Sequence, residues 1–241
     1  MSDLKSLKIR INSIAKTKKI TQAMKMVAAS KLRKAREAAE NNRFYKARLN
    51  IMIDQAIGAA DLANERSLIS NCGKVDSVLY LIVTTDRGLC GSLNTNIVKH
   101  IKQQIAQQQA KGKKAQVLII GAKGNQQLVA EFSDNIVEYR EGFSSRPVEF
   151  AELDHLAEKL AAMYNKQQFD QCNLVFAKFL TAMSQEIVDE QLIPFAMTAQ
   201  QPPEGPVADY EYEPNAKESL NRLLPANISA KIYNAALETF A

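Results

Sequence analysis

MSDLKSLKIRINSIAKTKKITQAMKMVAASKLRKAREAAENNRFYKARLNIMIDQAIGAA, running from Met1 to Ala60, decides the fold, because its first 57 positions hold neither Gly nor Pro. Ala, Lys, Arg, Met, Leu and Gln crowd it, and these residues lose least on entering a helix. One continuous helix is the simplest reading. At 1.5 Å per residue it spans roughly 85 Å, whereas a compact chain of 241 residues has a radius of gyration near ~18 Å. The helix must project beyond any globule, so the molecule is partly a rod.

The apolar positions give this rod a partner along one side. Leu4, Leu7, Ile11 and Ile14 alternate spacings of three and four, and the register resumes at Ala28, Leu32, Ala35, Ala39, Leu49, Ile53, Ala56 and Ala60. Lys18, Thr21, Lys25, Asn42 and Lys46 interrupt it, while Ile20, Met24 and Val27 shift apolar surface to a rotated face. Drift of a 3.6-residue helix against a heptad explains such breaks without any functional cause.

Charge is polarised along the chain. Residues 1–50 carry fourteen Lys and Arg against Asp3, Glu37 and Glu40, a net of +11, while the remainder carries 17 basic and 23 acidic side chains. A face chosen for helix propensity alone would not be so lopsided, and the rod calls for an acidic partner. Nucleic acid is one candidate and a carboxylate-rich protein surface is the other.

Composition narrows the remaining classes. The 241 residues, 46% hydrophobic, suffice for one ordinary domain plus the rod. No stretch approaches the ~18 consecutive apolar residues of a membrane span, and the N-terminus lacks a signal-peptide pattern, which predicts a chain retained in the cytoplasm. Cys72, Cys90 and Cys172 are too few and scattered for a disulfide framework or zinc site, and His100 and His155 fall on separate predicted helices. Neither metal nor cofactor is expected.

After a connection at Gly58–Asp76, the run Val78–Val83 reads as a strand buried on both faces, which predicts a parallel sheet. The turn Thr84–Asn94 and a helix over Thr95–Gln109 follow. A second unit comprises the strand Ala115–Ile120, the glycine turn Gly121–Gly124 and a short helix through Leu128–Phe132. A weak strand is expected at Ile136–Tyr139, a helix over Val148–Asn165, and strands at Asn173–Leu180 and Glu186–Phe195. This alternation predicts a doubly wound, Rossmann-like α/β domain over residues 75–195, beside a shaft helix at 1–62 and a last helical stretch at 215–241. Pro202, Pro203, Gly205 and Pro206 mark a loop between them. The final stretch is expected to break at Pro225, with Leu220, Leu224, Ile228, Ile232 and Ala236 on one stripe that packs along the rod.

A phosphate in such a fold would sit at the turn after the first strand, yet neither G-x-G-x-x-G nor a P-loop is present. Gly88 and Gly91 therefore read as a structural turn, with Cys90 a small thiol inside it. Tyr210 and Tyr212, framed by acids in DYEYEP (Asp209–Pro214), read as a partner contact or as a solvated loop.

The residues now carry a resemblance. LKIRINSIAKTKKITQAMKMVAASKLRKAR (Leu7–Arg36) and TTDRGLCGSLNTNI (Thr84–Ile97) resemble the gamma subunit of the F-type ATP synthase, as do GAKG (Gly121–Gly124), SQEIVDEQLIP (Ser184–Pro194) and DYEYEP. The resemblance implies that the N- and C-terminal helices form a long antiparallel coiled coil inside a ring of alpha and beta subunits. The α/β domain then forms a foot seated with the epsilon (or delta) subunit on the c ring. No nucleic acid, cofactor or direct membrane insertion is implied, and catalysis belongs to the beta subunits.

Carried onto this chain, the resemblance makes Lys18, Met24, Lys25, Lys31, Arg33, Lys34 and Arg36 contacts to the beta subunits, and Tyr210, Tyr212 and Glu213 contacts to the c ring. Asp86, Arg87, Gly88, Cys90, Gly91 and Asn94 become a structural motif of the foot. The setting implied is the cytoplasmic face of a bacterial inner membrane, held peripherally. In the family the last helix continues well past ALETFA, so the seam at Leu4–Ile14 is expected to lie beyond the reach of the final helix here.

Overall fold

The computed structural model describes residues 2–59, 68–69, 74–144, 148–181, 184–195, 211–213 and 215–240, with the side chains of residues 2, 39 and 43 excepted. Helix α1 runs unbroken over Ser2–Ala59. It is 58 residues long, about 87 Å. Then come β1 (Ser77–Val83), α2 (Leu93–Ala110), β2 (Lys114–Ile120), α3 (Ala122–Phe132) and a 3-10 turn at Ser133–Asn135. They are followed by β3 (Ile136–Arg140), α4 (Phe150–Asn165), β4 (Gln171–Thr181), β5 (Ser184–Ile193) and α5 (Ala216–Phe240).

The five strands form one sheet in the order β3-β2-β1-β4-β5. β1, the predicted doubly buried strand, lies at its centre, and its period-two alternation divides two cores. Leu79, Leu81 and Val83 face α4 and α5 with Leu153, Leu156, Leu160, Ile228 and Ile232. Val78, Tyr80 and Ile82 face α2 and α3 with Ile97, Ile101, Ile105 and Leu128. Each fully buried Leu or Ile contributes about 1.5–3 kcal/mol, so helices on both faces are what stabilise so apolar a strand.

The sheet is not wholly parallel. β1 to β4 are parallel, but β5 pairs antiparallel with β4 from Cys172–Ile193 to Thr181–Ser184. Only two residues separate Thr181 from Ser184, too few for the crossover that a parallel neighbour requires. The edge strand is tied to α2 by His100 Nε2, 3.0 Å from Asp189 Oδ2, and to β4 by Asn173 Nδ2 donating to Asp189 Oδ1 at 2.7 Å.

Helix α5 is continuous through Pro225, against the expected break. Proline removes the bond to the carbonyl of Asn221, but residue 221 is exposed and water can satisfy that group. The expected stripe also divides. Leu220 and Leu224 pack against Leu49, Ile53 and Ala56 of α1, whereas Ile228, Ile232 and Ala236 face the sheet and α4. α5 thus couples rod to foot, which is why apolar residues surround it.

Two polar ties fix the antiparallel register of α1 and α5. Asn42 Nδ2 donates to the carbonyl of Ala230 at 3.2 Å, and Asn227 Nδ2 donates to Asn50 Oδ1 at 2.7 Å. Asn42 is therefore a buried part of the seam and not an interruption of it. Higher up, Leu32 and Ala35 are half-buried, and residues 3–31 are all exposed, Ala28 and Lys31 included. Leu4 is 68% exposed and Met24 48%. Bare rod thus includes the seam at Leu4–Ile14, as expected, and extends beyond it to Lys31. No helix among the described residues is long and apolar enough to cross a membrane.

Candidate functional site

The residues singled out in the sequence fall at three places. On the free half of α1, Lys18, Met24, Lys25, Lys31, Arg33, Lys34 and Arg36 are all exposed. At 100° per residue, Lys18, Lys25 and Arg36 share one face and Met24 and Lys31 a second, while Arg33 and Lys34 point in two other directions. They form a collar around the rod, not a patch. Arg33 Nε donates to Glu37 Oε1 at 2.9 Å, one turn on, and that bond raises the guanidinium's pKa. The five other cations lack a carboxylate partner among the described residues.

The second place is the turn between β1 and α2. Asp86 reaches under the start of α3, where Oδ1 accepts the Ala122 amide at 3.1 Å. Oδ2 accepts the Ser144 amide at 2.8 Å and its hydroxyl at 2.9 Å, and the Ser144 hydroxyl oxygen accepts the Asp86 amide at 2.7 Å. Burial alone would raise the Asp86 pKa, but donors from Ser144, Gly142 and Ala122 together hold it below the ordinary carboxylate range. A helix N-terminus attracts an anion, and this one begins α3, not the α2 that follows the turn. Asp86 supplies the anion from within the chain.

Around that carboxylate the motif closes on itself. Asn94 Oδ1 accepts the Thr85 amide at 3.0 Å, and its Nδ2 donates to Thr85 Oγ1 at 2.8 Å and to Cys90 Sγ at 3.0 Å. Buried Thr84 Oγ1 donates to the Ile120 carbonyl at 2.9 Å and accepts the Gly124 amide at 3.1 Å. This approach explains GAKG. A Cβ on Gly121, at φ +104, would lie 2.0 Å from the Thr84 carbonyl oxygen, and one on Gly124 would lie 2.6 Å from Thr84 Oγ1. Arg87 and Gly88 are exposed, as is Leu89, with φ +67 and 93% of its surface open. Gly91 supplies a second left-handed turn at φ +61.

The third place is the start of α5. Tyr212 is half-buried and packs with the cluster of Leu49, Phe195 and Leu220. Glu213 is exposed, and Tyr210 lies outside the described residues. Between Met52 of α1 and Tyr212, Arg222 and Leu223 lies a cavity of about 260 Å³ rimmed by Glu211, Glu213 and Glu218.

The structure thus joins Cys90 and Asn94 through Thr85, sets Asp86 beside them in a second network with Ser144 and Ala122, and keeps the rod residues apart from both. Sequence reasoning missed Ser144, which comes from a loop with no motif, and the Asn42, Asn50 and Asn227 ties. Asn42 at an apolar register position was the available signal for the first of these; Asn50 and Asn227 lie off both apolar stripes. Among the described residues no group of His, Cys, Asp and Glu is placed to hold a metal ion.

A sequence model of a family described as ATP synthase matches residues 3–241. ATP synthase gamma chains of Paramagnetospirillum magneticum, Sinorhizobium medicae and Gluconacetobacter diazotrophicus are 38%, 39% and 40% identical over 246, 244 and 245 residues. The chain belongs to the ATP synthase gamma-chain family. All of it is covered in these three matches, and it spans 83% of each relative's length. The fold agrees with the family's solved structures. The central stalk and c ring structure of Tetrahymena thermophila mitochondrial ATP synthase contains a similar chain, with a TM-score of 0.67 at 23% identity, covering 92% of both chains. A chain in the rotor of Euglena gracilis mitochondrial ATP synthase gives 0.51 at 16% identity over 88% of this chain and 83% of its own.

Proposed function

We propose that this chain is the non-catalytic central-stalk subunit of a proton-translocating F-type ATP synthase, coupling rotation of the membrane c ring to conformational change at the catalytic beta subunits. The observation that carries the reading is the free upper half of α1. Some thirty residues stand clear of the foot with exposed Leu, Ile and Met among a large excess of Lys and Arg. Such a surface is costly unless something surrounds it. A sleeve of alpha and beta subunits with acidic loops meets both its apolar and its charged character.

In this mechanism the rod does no chemistry. Its collar of Lys18, Met24, Lys25, Lys31, Arg33, Lys34 and Arg36 presents a different side chain in each direction, so turning it changes what each beta subunit touches. Each beta site then shifts between conformations by differential contact with the rod, which is the only way a remote element can bias a site. Tyr210, Tyr212 and Glu213 would meet the c ring at the other end, with epsilon beside the foot, on the cytoplasmic face of a bacterial inner membrane. The turn after β1 lacks both glycine-rich phosphate motifs and Asp86 is bonded within the chain, which favours a structural foot over a nucleotide-dependent enzyme.

The test is reconstitution with alpha, beta and epsilon subunits and the c ring. Reversing charge at Arg33 and Arg36 is expected to lower proton pumping per ATP hydrolysed while the foot stays folded. Unchanged coupling would count against the collar. Tight, steeply salt-dependent binding to DNA without any association with those subunits would overturn the assignment in favour of a nucleic-acid binder.

A further inference from the structure

We infer that the cleft where the rod leaves the foot is a binding site for a hydrogenphosphate group, free or carried as a monoester. A cavity of about 480 Å³ opens there between α1, α5 and the β4–β5 edge of the sheet. That volume suits a small ligand. Such a site is separate from any coupling contact of the rod.

Each wall follows from the period of its element. Lys46 and Asn50 stand one turn apart on α1, and Asn234 and Glu238 one turn apart on α5. Phe176 and Lys178 alternate onto one face of β4, as Val188 and Glu190 do on β5, and Phe176 pairs directly with Val188. The cleft thus has an apolar floor and polar sides. Lys46 interrupts the apolar register of the rod between Asn42 and Leu49, and this cleft is what it lines.

Four nitrogen donors are left to the cleft. Asn50 is 7% exposed and its Oδ1 is taken by Asn227 Nδ2, while its own Nδ2 has no partner among the described residues. The bond from Asn227 polarises that amide and strengthens it as a donor. The Asn234 amide is unpaired among the described residues, and its Oδ1 is shut off from solvent, which leaves Nδ2 to the cavity. Half-buried Lys46 and exposed Lys178 have no ion-pair partner among the described residues. Two ammonium groups and two amides from three elements suit an oxyanion, whose oxygens accept from several directions at once.

Two carboxylates in the same cleft decide which oxyanion. Glu238 is committed to the sheet, where it accepts the Phe179 amide at 3.1 Å. Glu190 faces Lys231, a half-buried lysine 5.1 Å from the centre of the Phe195 ring. Burial lowers the Lys231 pKa, Glu190 opposes that and Lys46 adds to it, so Lys231 belongs to the same electrostatic cluster. Lys46, Lys178 and Lys231 against Glu190 and Glu238 leave one net positive charge. A carboxylate beside the anion accepts a hydrogen bond from P–OH, which phosphate retains near neutral pH, but repels sulfate, which has no hydrogen to give. An occupant held by α1, α5 and β4 together stabilises the junction of rod and foot by linkage.

Isothermal titration calorimetry of the intact chain with inorganic phosphate, AMP and sulfate at fixed ionic strength tests the site. Phosphate or AMP is expected to saturate one site per chain, with sulfate at least about tenfold weaker. Which of the two binds distinguishes a free phosphate from an esterified one. Lys46→Met, which restores an apolar seam position, and Lys178→Gln are each expected to weaken binding about tenfold, and Glu190→Gln to bring sulfate within about threefold of phosphate. Lys19→Gln on the bare rod removes the same charge and should change nothing, and circular dichroism should show all four variants folded. Phosphate affinity indifferent to both Lys46→Met and Lys178→Gln, or sulfate bound by the wild type as tightly as phosphate, would overturn the site as an adventitious ion only. Absence of saturable binding by both phosphate and AMP would overturn it outright. The proposed function would stand in each of these cases.

Discussion

Replacing Asp86 tests the foot at the carboxylate that ties the turn after β1 to the start of α3 and to Ser144. The carboxylate accepts the Ala122 amide, the Ser144 amide and the Ser144 hydroxyl. Hydrogen bonds to a charged group contribute about 1.5–3 kcal/mol each, but this carboxylate is only partly buried, so roughly 1 kcal/mol each is appropriate. Asp86→Ala then costs about 3 kcal/mol, and Asp86→Asn, which keeps one acceptor oxygen, about half of that. In a chain of this size the alanine variant should melt roughly 6–12 °C lower. The sign of the pH dependence follows from the lowered pKa of Asp86 in the folded state. Its stabilisation is present above the unfolded carboxylate value near ~3.9 and is lost as pH falls through the lower folded value. Urea melts at pH 7, 5 and 3 should show the gap between wild type and Asp86→Asn narrowing toward acid. A gap below about 0.5 kcal/mol at pH 7, or one that widens on acidification, would refute the reasoning.

Other consequences can be checked with simpler variants. Gly121→Ala should destabilise by at least about 3 kcal/mol in denaturant melts, because its Cβ would meet the Thr84 backbone at 2.0 Å in a left-handed conformation. Asn227→Ala leaves buried Asn50 without its donor at the rod–foot seam and should cost about 1–3 kcal/mol, whereas the pair Asn50→Leu and Asn227→Leu together should cost less than the single change. Cys172 is fully buried in the sheet, and burial pushes its thiol pKa up. Mass mapping should find it unlabelled by iodoacetamide in the folded chain and labelled in urea, with Cys90 modified before it.

The rod was legible because helix breakers are absent from 57 positions and no tertiary contact was needed to read that. β1 was legible for a related reason, since a run of six apolar residues fits one environment. β5 was harder to read, because its direction is set by a two-residue connection while the pattern invited an all-parallel sheet. Pro225 misled because a local rule was applied where burial on two sides holds the helix together. Asp86 was recognised as part of a motif, but its partner Ser144 lies 58 residues away on a loop without periodicity, and only the fold brings them together. The collar shows the opposite limit. Its residues are visible in sequence and exposed in the structure, yet their work depends on surfaces that this chain does not contain.

That work is most directly measured by watching the chain turn. With alpha and beta subunits assembled around the rod and fixed to a surface, and a bead attached through a cysteine placed at exposed Lys114, ATP should drive continuous rotation of the foot in one direction. Hydrolysis should continue at the beta sites while the isolated chain hydrolyses nothing. A bead that fluctuates without net rotation while the assembled complex hydrolyses ATP, or ATP turnover by the isolated chain, would contradict the account.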